Sequence, residues 1–186
     1  MKKIILIATL LIVMLSNVNG EGYAMSIFRR KLPAAQDAMN TFYNAGNIVC
    51  NNDSKIAVDI DVTRAFEVRV KAIATKQVNW MDCICSVAVE GTSKSLMLLA
   101  YKSSILIYYN YETKYGLNTD IDFTMNYDGK GNMSYTDNIS GQLLKTISIT
   151  TDSGSTYKLF VGCFNNAATY SRKFTGTIYS ITAKYI

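Results

Sequence analysis

From Ala65 to Ile73 the residues alternate without a break, with Phe66, Val68, Val70 and Ala72 set between Glu67, Arg69 and Lys71. Successive side chains of an extended chain point to opposite faces, so this pattern calls for a strand with one dry face and one wet face. Similar runs occur at Cys83 to Val89, Leu96 to Tyr101, Ile105 to Tyr111, Ile121 to Tyr127, Leu143 to Thr150, Tyr157 to Phe164 and Phe174 to Tyr185. Turn chemistry bounds them. Glu90-Gly91-Thr92-Ser93 and Tyr101-Lys102-Ser103-Ser104 separate strands, while Asp128-Gly129-Lys130-Gly131-Asn132 supplies the positive-φ residues of a hairpin. Thr151-Asp152-Ser153-Gly154-Ser155 reads in the same way. Short strands at this spacing, with helical character expected at most over Ala34 to Phe42, predict an all-β antiparallel two-sheet sandwich of the jelly-roll kind.

Composition supports a packed fold. Of 186 residues 49% are apolar and only 18% charged, with a single proline, which is too apolar for a disordered chain. Histidine is absent, and with it every mechanism that needs an imidazole base or a histidine-ligated metal.

Lys2 and Lys3 precede an apolar run from Ile4 to Leu15 and the small or polar residues Ser16 to Gly20, the layout of a secretory signal peptide over residues 1–20. Twelve apolar residues are too few for a spanning helix, which needs about 20. The expectation is therefore a secreted or cell-surface protein with no membrane span after cleavage. Residues 21–40 read as a linker with some helical character, and residues 41–186 as the folded domain. Removing Lys2 and Lys3 from the 19 basic residues leaves 17 against 14 acidic ones, a net charge of +3. The basic residues are scattered apart from Arg29, Arg30 and Lys31, so no phosphate-tracking stripe exists and nucleic acid is not an expected partner.

Four cysteines, Cys50, Cys83, Cys85 and Cys163, accompany the export signal. Cys83 and Cys85 stand two apart in a strand, which places both on one face with Met81, Val87 and Val89. Core packing is preferred over a disulfide, with Cys50 to one of the close pair as the bridge to test. Zinc is disfavoured, because Cys83-Ile84-Cys85 is tighter than the usual knuckle.

The segment Tyr157-Lys158-Leu159-Phe160-Val161-Gly162-Cys163-Phe164-Asn165-Asn166, followed by Phe174-Thr175-Gly176-Thr177-Ile178-Tyr179-Ser180-Ile181, resembles the closing strands of concanavalin A-like (LamG-like) jelly rolls. The hairpin at Asp128 and Gly129 and the opening from Lys55 to Val70 fit the same pattern. Gly176 suits a close backbone approach. Ile178 and Ile181 fall on opposite faces of a regular strand, which implies a bulge or two-sided burial.

The resemblance includes β-glucanases, which carry a Glu-x-Asp-x-x-Glu run that sets nucleophile and acid on one strand face about 5 Å apart. Here Glu21, Glu67, Glu90 and Glu112 each lack a second carboxylate two or four positions away. Asp59 and Asp61 share a face, and a glycoside hydrolase built on them is the weakest of three readings. Turn-proximal solvated aspartates are the simpler account, so the domain is expected not to be an enzyme. No cofactor is expected. Calcium is possible but not predicted: Asp120, Asp122, Asn126 and Asp128 are the densest set of hard oxygens, and a polar strand face explains Asp120 and Asp122 more simply.

A sugar surface needs flat rings and planar amides. Trp80 beside Asn79, the cluster Tyr108, Tyr109, Tyr111 and Tyr115 around Asn110, and Asn165, Asn166 and Tyr170 between the last strands supply both. The expected function is an exported, non-catalytic, lectin-like domain that binds a glycan or other extracellular polymer through Trp80, Tyr108, Tyr111, Asn165 and Asn166. Such binding would be weak unless copies are arrayed. The alternative is a structural or adhesive module of a cell envelope, appendage or phage-derived assembly that contacts protein.

Overall fold

A computed structural model describes residues 40–51, 56–108, 111–152, 154–164 and 172–186. The signal-peptide and linker readings lie outside these residues, as do Tyr109, Asn110, Asn165, Asn166 and Tyr170.

Alternating segments become strands wherever the sequence shows them. The strands are β1 Thr41–Asn51, β2 Ile56–Ile60, β3 Phe66–Ala74, β4 Asp82–Val89, β5 Ser95–Lys102, β6 Ser104–Ile107, β7 Tyr111–Glu112, β8 Asp120–Tyr127, β9 Asn132–Asp137, β10 Gln142–Ser148, β11 Tyr157–Val161 and β12 Thr175–Tyr185. They form two six-stranded sheets, β1-β12-β3-β8-β9-β10 and β2-β11-β4-β5-β6-β7. Every pairing between named strands is antiparallel. The meander β8-β9-β10 builds one half of the first sheet and β4-β5-β6-β7 one half of the second. The remaining connections switch sheets, which gives the stacked jelly-roll sandwich that the alternation predicts. Thr41–Ile186 forms one compact unit.

The main core lies between the sheets. Phe66, Val68, Val70, Phe123, Met125, Tyr127 and Tyr135 of the first sheet meet Ile84, Val87, Leu99, Ile107, Leu159 and Val161 of the second. Each is fully or nearly fully buried.

A second apolar cluster, Met81, Cys83, Ala88, Leu98, Ala100, Leu106, Phe160, Cys163 and Phe164, occupies the other face of the second sheet and is also buried. This explains why β4 and β5 read as continuous apolar runs, since a strand buried on both faces has no wet positions to alternate. It also departs from the one-dry, one-wet alternation expected of Cys83 to Val89 and Leu96 to Tyr101. The outer face of the first sheet is polar, with Arg69 donating from Nε at 3.0 Å and Nη2 at 2.8 Å to Asp122. Asn138 Nδ2 donates to the same carboxylate at 2.8 Å. Asp122 is thus a cross-strand anchor of that face.

Two bulges reset the side-chain parity. In β4 the register slips between Cys83, opposite Ala100, and Cys85, opposite Leu99. Ile84 is the extra residue, so Cys83 falls in the outer cluster while Ile84 and Cys85 both enter the intersheet core. The expectation that Cys83 and Cys85 share a face is therefore wrong. The implied irregularity in the last strand is present, because the β12 register slips between Ile178 and Ser180 and brings Ile178 and Ile181 into the same core.

All four cysteines are buried thiols and no disulfide joins them. Burial pushes the Cys85 thiol up to about 12 and Cys83 well above its usual value, so neither forms a thiolate near neutrality. The native protein should give no rapid reaction with an aromatic disulfide reagent, and four equivalents should appear on unfolding. A fast native titre would contradict this packing.

Candidate functional site

At one end of the sandwich four segments converge: the β2–β3 loop, the β8–β9 hairpin, the β10–β11 connection and the β4–β5 hairpin. Between the first three lies an open cleft of about 570 Å³, lined among others by Asp61, Thr63, Tyr127, Lys130, Thr151 and Tyr157. A second cleft of about 400 Å³ shares Thr150, Thr151, Asp152 and Tyr157 with it and adds Ser93, Lys94, Ser95 and Tyr108.

Local hydrogen bonds fix these walls. Asp61 Oδ1 accepts from the Thr63 amide at 2.9 Å and its hydroxyl at 2.6 Å, and the Asp61 amide donates to the Tyr185 hydroxyl at 2.8 Å. Arg64 lies 3.8 Å over the Tyr185 ring. In the β8–β9 turn, Asp128 accepts from the amides of Lys130 at 2.7 Å and Asn132 at 2.9 Å, while Gly129 and Gly131 take φ of 72° and 102°. The anticipated hairpin is confirmed, and its glycines serve positive φ as the sequence requires.

The Thr151–Ser155 stretch differs from expectation. It carries the chain from β10 in one sheet to β11 in the other, so it is a crossover and not a hairpin. Asp152 organises it by accepting from Ser155 Oγ at 3.0 Å, Gly154 N at 3.2 Å and Lys94 Nζ at 2.6 Å. The Asp152 amide donates to the Tyr157 hydroxyl at 3.0 Å.

The two carboxylates of the clefts are held as anions. Lys94 first, then the Gly154 amide and the Ser155 hydroxyl, bring Asp152 down to about 2. The Thr63 hydroxyl and amide lower Asp61. A general acid in glycoside cleavage needs the opposite displacement, upward towards neutrality. What the clefts offer instead is a rim of hydroxyls, two fixed anions and the buried rings of Tyr127 and Tyr157. Chemically, such a set can hydrogen-bond a polyhydroxylated molecule. Asp59, the other half of the proposed carboxylate pair, is exposed on β2.

The sequence-derived residues do not converge. Tyr108, at φ 44°, follows β6 and lines the second cleft. Tyr111 is three residues further on, yet it lines a separate cleft of about 240 Å³ with Tyr115, Asp137 and Gln142. Trp80 stands apart, 59% exposed in the turn before β4. Sequence reasoning missed Asp152, Lys94, Tyr157 and Thr151 as site residues. The Asp-Ser-Gly-Ser stretch was legible as a turn, but nothing in its spacing pointed to Lys94 or Tyr157.

No protein-family model matches the chain, and no curated protein matches it. Solved structures do resemble it. Trypanosoma rangeli sialidase, in complex with a difluoro nononic acid, superposes with a TM-score of 0.60 at 10% identity, covering 75% of this chain and 25% of the sialidase. The Ruminococcus gnavus IT-sialidase CBM40 bound to α2,3 sialyllactose gives 0.56 at 13% identity, covering 77% of this chain and 91% of that module. The chain therefore spans about a quarter of the trypanosomal enzyme but matches the module nearly end to end. At these identities the likeness shows the fold alone. That fold is an antiparallel β-sandwich of the jelly-roll kind.

Proposed function

We propose that this is an exported, non-catalytic glycan-recognition domain of LamG-like type, which binds a saccharide in the paired clefts around Asp152. The observation that carries the reading is the state of the two carboxylates. Both Asp61 and Asp152 are committed to hydrogen bonds that keep them ionised, so they act as acceptors for sugar hydroxyls and not as proton donors. The walls that present them are tied by the short hydrogen bonds above, which reduces the ordering cost of binding. A structural neighbour, the IT-sialidase CBM40 bound to α2,3 sialyllactose, supports glycans as the ligand class. The basic start of the chain, followed by an apolar run, supports export.

The folded domain should bind members of a broad glycan array, weakly when monovalent. Replacing the exposed lip residues Thr150 and Thr156 with tyrosine should fill the cleft and weaken that binding about tenfold or more. Silence across the array, or binding indifferent to the filled cleft, would count against this reading. Release of reducing ends from any bound glycan would show that the domain is an enzyme.

A further inference from the structure

Trp80 is the chain's single tryptophan and is 59% exposed, which is unusual for the largest apolar side chain. Its turn is rigid. The carboxylate of Asp82, itself fully buried, accepts from the Val78 amide at 2.9 Å, the Asn79 amide at 2.9 Å and Asn79 Nδ2 at 2.7 Å. Gln77 Nε2 donates to the carbonyls of Asn79 at 2.9 Å and Trp80 at 3.1 Å, and its Oε1 accepts from the Ser103 amide at 3.0 Å. Asn79 Nδ2 also reaches the Lys173 carbonyl at 3.2 Å. So many anchors around an exposed indole mean that the ring is held out, not left over.

A cation is held against it. The guanidinium of Arg172 lies 4.5 Å from the Trp80 ring centroid and 5.2 Å from that of buried Phe164. Its Nη1 is buried without a hydrogen-bond partner, and among the described residues no carboxylate pairs with it. Asp82, the acid of this turn, is committed to its three donors. Nη1 is enclosed beneath the surface, so a ligand from outside would meet the remaining Nε–Nη2 edge, which no described residue bonds. Lys76 precedes the turn in sequence and Lys173 follows Arg172, and both add positive charge.

We infer that Trp80 and Arg172 form a second binding site, selective for a carboxylated sugar: the indole stacks on the pyranose and the guanidinium fork pairs with the carboxylate. Stacking needs an exposed ring, and bidentate pairing needs an arginine fixed in the plane of approach. The site is distinct from the clefts. It lies before the first residue of β4, whereas Lys94 lies beyond its last, and that strand of 8 residues spans roughly 25 Å.

Tryptophan emission reports on this site alone, because the clefts contain no tryptophan. Titration of the full chain with oligogalacturonate should shift or quench the emission saturably, and the neutral galacto-oligosaccharide of the same length should bind about tenfold or more weakly. Arg172→Gln should remove that preference, and Arg172→Lys, which keeps the charge but not the fork, should lose most of it. Trp80→Ala, followed by calorimetry, should lose the acidic ligand. An equal response to neutral and acidic sugar overturns the inference. So does an equal response to polyglutamate, no response to the uronate, or a response untouched in both arginine variants that retain the native circular dichroism. Failure of the cleft reading leaves these outcomes unchanged, since filling the cleft with tyrosine does not touch this turn.

Discussion

Gly176→Ala is expected to lower the stability of the domain by about 4 kcal/mol, combining ~1–3 kcal/mol for a backbone conformation that L side chains avoid with ~1–3 kcal/mol or more for overpacking. Gly176 sits at φ 156°, and a Cβ there would stand 2.1 Å from the Ile73 carbonyl oxygen and 2.7 Å from Phe174 Cζ. Neither neighbour can retreat cheaply. Ile73 pairs with both Thr177 and Asp120, and Phe174 is fully buried in the intersheet core. The residue lies in β12, which is paired on both sides, opposite Ala74 and Cys50. Against a typical total of about 5–15 kcal/mol this loss is large, and with a urea slope of about 2 kcal/mol per molar the unfolding midpoint should fall by about 2 M. Gly116→Ala is the control, because nothing lies within 4 Å of its added Cβ. Equal midpoints for the two variants would show that the close approach at Gly176 is not real.

The second large effect is expected at Asp137, which is 2% exposed and accepts from the Tyr115 hydroxyl at 2.5 Å, the Ser140 hydroxyl at 2.6 Å and the Ile139 amide at 3.0 Å. Asp137→Ala strands the buried Tyr115 hydroxyl and should cost about 3 kcal/mol in urea denaturation. The pH dependence has two arms. Burial by itself raises the Asp137 carboxyl, but the hydrogen bonds from Ser140, Tyr115 and the Ile139 amide outweigh it and hold the group below its ordinary 3.8. A carboxyl depressed by folding stabilises the native state above its unfolded value, and that contribution is lost as pH falls below 3.8 through the folded value. Tyr115 behaves in the opposite sense. Burial, then its bond to Asp137 and the negative charge there, push it from 10.0 up to about 12, so its contribution is intact below pH 10 and lost as pH rises from 10 to 12. Asp137→Ala should remove the acid arm and weaken the alkaline one, whose larger cause is burial, and Tyr115→Phe should remove the alkaline arm. Stability profiles of wild type and Asp137→Ala that run parallel at both extremes would refute this coupling.

Much of the architecture is written in local pattern. β3 and β8 alternate so regularly that their cross-strand register, Val70 opposite Phe123 and Lys71 opposite Asp122, follows from placing like faces together. The hairpin at Gly129 and Gly131, the close approach at Gly176 and the irregularity between Ile178 and Ile181 were each legible for a stated steric reason. Two strands were not. β1 carries Gly46 and Asn47, the latter at φ 55°, and lies on an edge where little of it is buried. β9 follows its hairpin so closely that Met133 and Tyr135 are too few to show a period of their own.

The site was less legible than the fold, because recognition residues come from segments with no common spacing. Trp80 was visible as an isolated aromatic beside an amide. Its cation, Arg172, arrives from the far end of the chain, where the pairing Cys83 N to Arg172 O at 2.7 Å brings the two segments together. Tyr108 and Tyr111 looked like one cluster, but the left-handed conformation of Tyr108 turns the chain and sends the two rings into different clefts. Lys94, Asp152 and Tyr157 meet only because the chain crosses from one sheet to the other between β10 and β11.

Alternation and turn chemistry were enough to determine that this chain forms antiparallel strands in two layers, because a period of two and a positive-φ glycine act within a few residues. The side on which each cysteine falls, the burial of both faces of β4 and β5, and the meeting of Arg172 with Trp80 were decided by the tertiary structure. A single inserted residue such as Ile84 inverts the parity of what precedes it, and a contact between distant segments exists only once the sheets have stacked.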